Sequence, residues 1–149
     1  MSNNLYLTLP FVVAVIVSDQ GKVLIGQHPN LTRKPYPLLW DFPGGKVNPD
    51  DETVEEALRR EVREETGMEI ISVKLFGVFH HTQAKMLPNR APVTVPSIAL
   101  CYKVKGSGML IPDEMLNMHW AALEEVRSRE LTPWAGWVVT NFFPGILHW

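Results

Sequence analysis

The sequence predicts an α/β or α+β fold in which helices pack against a mixed β-sheet. Segments with strand-like apolar patterns stand on both sides of one long amphipathic helix pattern, and shorter helix patterns close the chain. The 149 residues contain no internal repeat, no low-complexity segment and no linker. This length is typical of one domain with a substantial buried core, so we expect a single domain over residues 1–149.

Composition and charge exclude several classes of protein. The formal net charge of −2 offers no electrostatic basis for general nucleic-acid binding, and Cys101, the single cysteine, cannot form an internal disulfide. The apolar run at residues 5–17 contains Pro10 and is too short to span a bilayer, so we interpret it as a buried strand. We therefore expect a cytoplasmic protein that binds neither nucleic acid nor a membrane.

Strands and a glycine loop are predicted before the long helix. Residues 11–17 are rich in valine and isoleucine, the turn Asp19-Gln20-Gly21 follows, and residues 22–27 resume the apolar pattern. This order is typical of a hairpin. A short strand at Trp40-Asp41-Phe42 is expected to end at Pro43-Gly44-Gly45, where two glycines allow the backbone to approach a ligand closely.

The long helix and the strands after it have recognisable boundaries. Thr53 begins a capping-box pattern at the start of the helix, and Gly67 is well placed to end it. Strands are expected at residues 69–81 and 93–104 because both segments are rich in β-branched and aromatic side chains. A polar, proline-bearing loop at residues 82–92 is expected to separate them.

The C-terminal part is predicted to return to short elements. A strand is expected at residues 115–121, a short helix at residues 123–129, and a last helix at residues 134–143 after the start signal Thr132-Pro133. The aromatic residues of this last helix recur near helical spacing, and we interpret them as core, with a dimer face as the alternative: Trp134, Trp137 and Phe142.

The long helix combines a buried face with acidic residues. At about 100° per residue, three aliphatic side chains form one stripe: Val54, Leu58 and Val62. Glu61 and Glu65 fall inside this stripe, and Glu64 lies beside Ala57. Moving an unpaired carboxylate out of water is costly, so a divalent cation is the simplest compensation. The alternative is a solvated helix whose acids form i,i+4 pairs with arginines.

The same stretch, residues 44–68, resembles the Nudix box, whose pattern is G-x5-E-x7-R-E-U-x-E-E-x-G-U, with U a bulky apolar residue. Glu52, seven further residues and then Arg60-Glu61-Val62-Arg63-Glu64-Glu65-Thr66-Gly67-Met68 match the second part of this pattern. Six residues, 46–51, separate Gly45 from Glu52, where the pattern has five. The extra residue lies in the Asn48-Pro49-Asp50-Asp51 turn, where changes of length are usually tolerated.

The resemblance implies a Nudix fold, in which the box forms a loop–helix–loop motif beside a mixed β-sheet core between helices. It also implies hydrolysis of a nucleoside diphosphate linked to another moiety, with Mg²⁺ or Mn²⁺ as cofactor. The implied metal ligands are the carbonyl near Gly44 and three carboxylates: Glu61, Glu64 and Glu65. Glu52 and Arg60 are implied to pair, to hold the loop against the helix and to complete the catalytic set.

Residues 40–47 resemble the MutT-like branch of this family, which cleaves nucleoside triphosphates to the monophosphate and pyrophosphate. The expected partner is then a small-molecule nucleotide, with an oxidised nucleotide among the candidates, and the expected assembly is a monomer or a homodimer. One alternative is another nucleoside diphosphate derivative: ADP-ribose, a nucleotide sugar or a dinucleotide. The other alternative is a module that senses nucleotides without cleaving them.

Three further residues are candidates for substrate binding. Trp120 follows Asp113-Glu114-Met115 in a segment that resembles oxidised-purine nucleotide hydrolases, where a tryptophan stacks on the base. A stacked base adds about 1–3 kcal/mol. The alternatives are that Trp120 closes the core, and that Glu114 is either a catalytic acid outside the box or a solvated loop acid. Lys46 is expected either to meet the phosphates or to be solvated.

Overall fold

The computed structural model describes residues 8–31, 36–51, 53–86 and 92–149, and these form two β-sheets with helices packed against them. In the larger sheet the strand order is β4-β1-β6-β5, with β1 parallel to β6 and the other pairs antiparallel. Its strands are β1 (Leu9–Ile16), β4 (Gly44–Lys46), β5 (Glu69–Met86) and β6 (Pro92–Ser107). The mixed sheet and its helices confirm the predicted α+β class.

The smaller sheet has the order β3-β2-β7 and is antiparallel. Its strands are β2 (Val23–Gln27), β3 (Trp40–Asp41) and β7 (Leu116–Ala121). The helices of the described residues are α1 (Val54–Thr66), α2 (Leu123–Ser128), α3 (Pro133–Phe142) and a 3₁₀ turn (Gly145–Leu147). Within the described ranges, no helix combines the length and the apolar character that crossing a bilayer requires.

Strand β1 is the centre of the core because both of its faces are covered. Val13 packs in a cluster with Val138 of α3, whereas Val12 packs in a second cluster with Leu58 and Val62 of α1. A strand that is buried on both faces has no polar side to alternate with its apolar one. This explains the uninterrupted apolar run at residues 11–17.

The predicted hairpin between residues 11–17 and 22–27 is wrong. The two segments are strands and a tight turn joins them, with the amide of Ser18 donating to the carbonyl of Lys22 at 2.8 Å. However, β1 and β2 belong to different sheets, and the bridge Val17–Val23 pairs only their adjoining ends. β1 pairs instead with β4 and β6, and β2 pairs with β3 and β7.

Helix α1 begins and ends where the capping pattern predicts. Oγ1 of Thr53 accepts a hydrogen bond from the amide of Glu56 at 3.1 Å, which satisfies a donor that the first turn leaves free. Gly67 has φ of 72°, a left-handed conformation that favours glycine, and its amide donates to the carbonyl of Arg63. Ala57, Leu58 and Val62 are buried on this helix, and Val54 is half-buried.

Two predicted loops are shorter in the structure. Gly44–Lys46, expected as part of a loop, is strand β4 at the edge of the larger sheet, paired with β1. Of the loop expected at residues 82–92, residues 82–86 and 92 are strand, because β5 extends to Met86 and β6 begins at Pro92. The two strands pair with each other up to Met86 and Pro92, and residues 87–91 lie outside the described residues.

Candidate active site

Helix α1 approaches the outer edge of β4 at its acidic end. Oε2 of Glu65 accepts a hydrogen bond from the amide of Gly44 at 2.9 Å. A Cβ at Gly44 would lie 2.1 Å from the carbonyl oxygen of Val12, so only glycine fits between β1 and this edge. Position 44 therefore requires glycine because strand β4 lies very close to β1. The amide of Gly44 is left to donate to Glu65.

Gly45 makes room for the second acid of the helix. A Cβ at Gly45 would lie 2.4 Å from Cδ of Glu61 and 2.5 Å from both of its carboxylate oxygens. The Glu61 side chain is only 13% exposed and is directed at the glycine strand. The two glycines thus allow Glu61 and Glu65 to lie against one stretch of backbone.

Arg60 connects the loop before α1 to this acid pair. Its Nε and Nη2 donate to Oδ1 and Oδ2 of Asp51 at 3.2 and 2.9 Å, a bidentate pair. Nη1 donates to Oε1 of Glu61 at 2.9 Å, and Nη2 also donates to the carbonyl of Lys46 at 3.0 Å. One guanidinium group therefore holds the loop, strand β4 and Glu61 together.

Asp51 is a site residue that the sequence interpretation missed. The predicted partner of Arg60 is Glu52, which lies outside the described residues, so that pairing stays a prediction. A signal for Asp51 was present, because the five-residue spacing of the Nudix pattern, counted from Gly45, ends at Asp51. The turn thus carries three consecutive acids, Asp50, Asp51 and Glu52, and the structure places Asp51 on Arg60.

We expect Asp51→Asn to lower kcat/KM about tenfold, because the bidentate pair with Arg60 loses its charge and Glu61 is less firmly oriented. The matched variant is Glu52→Gln, which removes a charge from the neighbouring position. Steady-state kinetics of the two variants under one condition compare them directly. An equal or greater loss in Glu52→Gln would assign the anchoring role to Glu52 instead.

Two further acids lie near Glu61 and Glu65, one exposed on the helix and one lining the cavity. The side chain of Glu64 is 60% exposed, with its Oε2 3.5 Å from Nη1 of Arg60. Glu114 has φ of 65°, unusual for a residue other than glycine, and it lines the same cavity as Glu61 and Glu65. Its loop is fastened to the end of α1, since the amide of Asp113 donates to the carbonyl of Glu65 at 3.0 Å.

Burial controls the protonation of the two inner acids. Loss of hydration raises the pKa of Glu65 well above its ordinary value, and the negative charges of Glu61, Asp41 and Glu114 raise it further, although the Gly44 amide opposes them. Burial also raises the pKa of Glu61, against the lowering effect of Arg60. This corner of the protein therefore concentrates negative charge that is poorly solvated, which a cation would relieve.

A cavity of about 830 Å³ opens beside these residues. The predicted site residues that line it, among those that the structure describes, are Gly44, Lys46, Arg60, Glu61, Glu65 and Glu114. Among the residues that the structure describes, no three His, Cys, Asp or Glu side chains converge closely enough to form a ready metal site. A cation bound here would therefore draw some of its oxygen ligands from water.

A second wall of the cavity is built on a buried carboxylate. Oδ1 of Asp41 accepts hydrogen bonds from the amide of Phe42 at 2.7 Å and from Nε1 of Trp134 at 2.8 Å. Nε2 of His28 lies 2.9 Å from Oδ2 of the same carboxylate. Burial raises the pKa of Asp41, and its hydrogen bonds with His28, Trp134 and Phe42 oppose the shift. Trp134 is core, as predicted, and it also lines the cavity.

The structure places Trp120 outside the cavity that Glu61 and Glu65 line, so its base-stacking role stays a prediction. This side chain packs on the cluster that contains Leu24, and it lines a separate pocket of about 440 Å³ with Lys22 and Lys105. It is half-buried, which agrees with the alternative that it helps to close the core. Within the described part of the chain, the aromatic side chains that line the cavity beside Glu61 and Glu65 are Phe11, Tyr36, Phe42 and Trp134.

Two curated relatives show sequence similarity to parts of the chain. A segment of 58 residues, 39% of this chain, is 48% identical to the CTP pyrophosphohydrolase of Escherichia coli and covers 41% of that protein. A segment of 102 residues, 68% of this chain, is 34% identical to the RNA pyrophosphohydrolase of Pseudomonas putida and covers 59% of it. The chain thus spans less than two thirds of the length of these relatives.

The fold is also found in a solved relative. The MutT NUDIX hydrolase from Burkholderia pseudomallei has a TM-score of 0.69 and 26% sequence identity, with 90% of this chain and 97% of that chain covered. The family model for the NUDIX domain matches residues 8–142, which is most of the sequence. The resemblance carried by residues 44–68 is thereby confirmed at the level of the whole fold: the chain belongs to the NUDIX domain family.

Proposed function

We propose that this chain is one hydrolase domain that cleaves a nucleoside triphosphate with water, releasing the nucleoside monophosphate and pyrophosphate. The observation that carries the proposal is the pair Glu61 and Glu65, buried together against the glycine strand in a cavity of about 830 Å³. Such a volume suits a ligand of nucleotide size. Similarity to relatives named CTP and RNA pyrophosphohydrolases supports a nucleotide substrate that contains a phosphoanhydride.

The donor set fits a divalent cation with hard ligands, Mg²⁺ or Mn²⁺. The proposed ligands are the carbonyl of Gly44 and three carboxylates: Glu61, Glu64 and Glu65. The fit rests on the poorly solvated charge of Glu61 and Glu65, whose pKa values burial raises, because a cation would compensate it. When bound, the cation neutralises phosphate charge and makes an attacking water more acidic.

The residues of the chain supply orientation and proton transfer. Arg60 holds Glu61 in place, and the amide of Gly44 does the same for Glu65. Lys46, exposed on the strand that lines the cavity, is proposed to bind the phosphates. The proton acceptor for the water is one of three nearby acids: Glu64, Glu65 or Glu114. Water is the proposed nucleophile; Cys101 is an unsuitable one, because burial raises the pKa of its thiol to about 12.

The test is a substrate panel with the purified chain and Mg²⁺ or Mn²⁺. The panel holds the common and 8-oxo nucleoside triphosphates, ADP-ribose, a nucleotide sugar, a dinucleoside polyphosphate and an RNA with a 5′-triphosphate. Products are resolved by anion-exchange chromatography. We expect monophosphate and pyrophosphate from at least one free triphosphate, and no turnover with EDTA.

Each other outcome reassigns the function. Turnover of ADP-ribose or a nucleotide sugar without any free triphosphate would move the substrate to another nucleoside diphosphate derivative. Turnover of the RNA alone would limit the activity to polymer ends. Nucleotide binding measured by calorimetry, with no product from any substrate, would replace the hydrolase with a nucleotide-sensing module.

A further inference from the structure

The carboxylate of Asp41 is arranged to accept three hydrogen bonds. Its Oδ1 faces two fixed donors, the backbone amide of Phe42 and the indole of Trp134, neither of which can accept a hydrogen bond. Its Oδ2 faces Nε2 of His28 at 2.9 Å. An ionised carboxylate can only accept, so this pairing places a hydrogen on Nε2 of His28.

The tautomer of His28 then determines what its other ring nitrogen offers. In a neutral ring with hydrogen on Nε2, Nδ1 carries a lone pair and acts as an acceptor. The described residues include no hydrogen-bond partner for Nδ1, and His28 lines the cavity with a quarter of its side chain exposed. In this neutral form the cavity wall includes a ring whose Nε2 is fixed by a buried group and whose Nδ1, which is not among the buried unpartnered atoms of the described residues, acts as an acceptor.

Aromatic side chains line the same cavity as His28. The ring of Phe11 meets Trp134 edge to face at a centroid distance of 4.9 Å, and Tyr36 meets the same indole at 5.2 Å. All three line the cavity, and Trp134 is bonded to the carboxylate that holds His28. Apolar aromatic surface beside one oriented polar group is the usual composition of a site for a planar ring with a polar edge.

We propose that His28 selects the base of the substrate, and that it favours bases with an amino group at the edge it contacts, cytosine over uracil and adenine over hypoxanthine. The proposal rests on the proposed function, because it assumes that a nucleotide fills the cavity. An acceptor pairs with the amino group of cytosine or adenine, whereas the carbonyl oxygen at the same position of uracil or hypoxanthine repels it. Asp41 is the positioning residue, acting through the tautomer of His28.

The first test compares kcat/KM for CTP and UTP, and for ATP and ITP. We expect the wild-type chain to favour the amino-bearing member of each pair about tenfold, the effect of one hydrogen bond. His28→Phe keeps a ring and removes both nitrogens, so both ratios should fall to near one, mostly through KM. The matched control is His119→Phe, at a histidine that also pairs with a carboxylate, Glu125, but does not line the cavity.

The second test uses Asp41→Asn, which leaves the shape of the carboxylate unchanged. The fixed donors Phe42 and Trp134 hold the amide oxygen, so the amide nitrogen faces His28 and donates to Nε2. The hydrogen of the ring then moves to Nδ1, which becomes a donor. We expect the preference to reverse toward UTP and ITP, a result that a purely structural role of Asp41 would not produce.

The outcomes separate this inference from the proposed function. If the wild-type chain cleaves no free triphosphate, the proposed function fails, and calorimetry with CMP and UMP still decides whether His28 distinguishes the bases. If the chain cleaves triphosphates with equal kcat/KM for CTP and UTP, or if His28→Phe retains the wild-type ratio, the inference is overturned alone. If His28→Phe changes the ratio of kcat/KM for CTP and dCTP but keeps the wild-type ratio for CTP and UTP, the inference is overturned in favour of sugar recognition.

Discussion

Glu65→Gln is expected to lower kcat by a factor of about 10²–10⁴ while the fold persists. The amide oxygen of glutamine can still accept the hydrogen bond that Gly44 donates to Glu65, so α1 keeps its place against β4. The neutral amide, however, is a poor ligand for a hard cation and cannot accept a proton at neutral pH. Steady-state kinetics with saturating Mg²⁺ measure the loss.

The same variant should not lose stability when metal is absent. Because burial raises the pKa of Glu65, its contribution to stability is fully present below the ordinary glutamate value of 4.5 and is lost as pH rises through the folded-state pKa. Glutamine carries no charge and avoids this loss. At pH 8 with EDTA we expect the melting temperature of Glu65→Gln to equal or exceed that of the wild type, and Mg²⁺ should raise it less than in the wild type.

The control is Glu55→Gln, on the exposed face of the same helix, where the carboxylate makes an i,i+4 pair with Arg59. This variant should keep near wild-type kcat and the full Mg²⁺-induced rise in melting temperature. Near wild-type activity in Glu65→Gln would contradict the role assigned to Glu65. A melting temperature well below that of the wild type in EDTA would contradict the effect of burial on its pKa.

Local patterns in the sequence were sufficient for the helix and its acids. Thr53 and Gly67 act within one turn of the helix ends, so capping chemistry located α1 without any knowledge of the fold. Glu61 and Glu65 were also identified because they fall within the aliphatic stripe of the helix, and the structure places both against the glycine strand. Glu64 falls at the edge of the stripe and is exposed, as the angle allows.

Features that depend on contacts between residues far apart in the sequence could not be predicted from local patterns. β1 and β2 are neighbours in sequence but belong to separate sheets, because β1 pairs with β4 and β6 whereas β2 pairs with β3 and β7. The bond between Trp134 and Asp41 joins residues 93 positions apart, and no periodicity connects them. Trp134 fitted a core position, and only the fold shows that the core at this point borders the cavity.

Alanine substitutions at the two adjacent glycines of β4 should have different effects, the first mainly on stability and the second mainly on catalysis. In Gly44→Ala the new methyl group would lie 2.1 Å from the backbone oxygen of Val12, which cannot move without breaking the pairing of β1 and β4. We expect a loss of about 3 kcal/mol or more in the free energy of unfolding. Urea denaturation measures this loss in the purified variant.

In Gly45→Ala the nearest atoms belong to the end of the Glu61 side chain, with Cδ at 2.4 Å, and a side chain can rotate away. The unfolding free energy should therefore fall by only about 1 kcal/mol. Rotation, however, takes Glu61 from its hydrogen bond with Arg60 and from the cavity, so we expect kcat to fall about 10²-fold or more. Comparable stability losses in both variants would mean that the Glu61 side chain cannot rotate away from the new methyl group. Full activity in Gly45→Ala would mean that the position of Glu61 against the glycine strand is not required for the reaction.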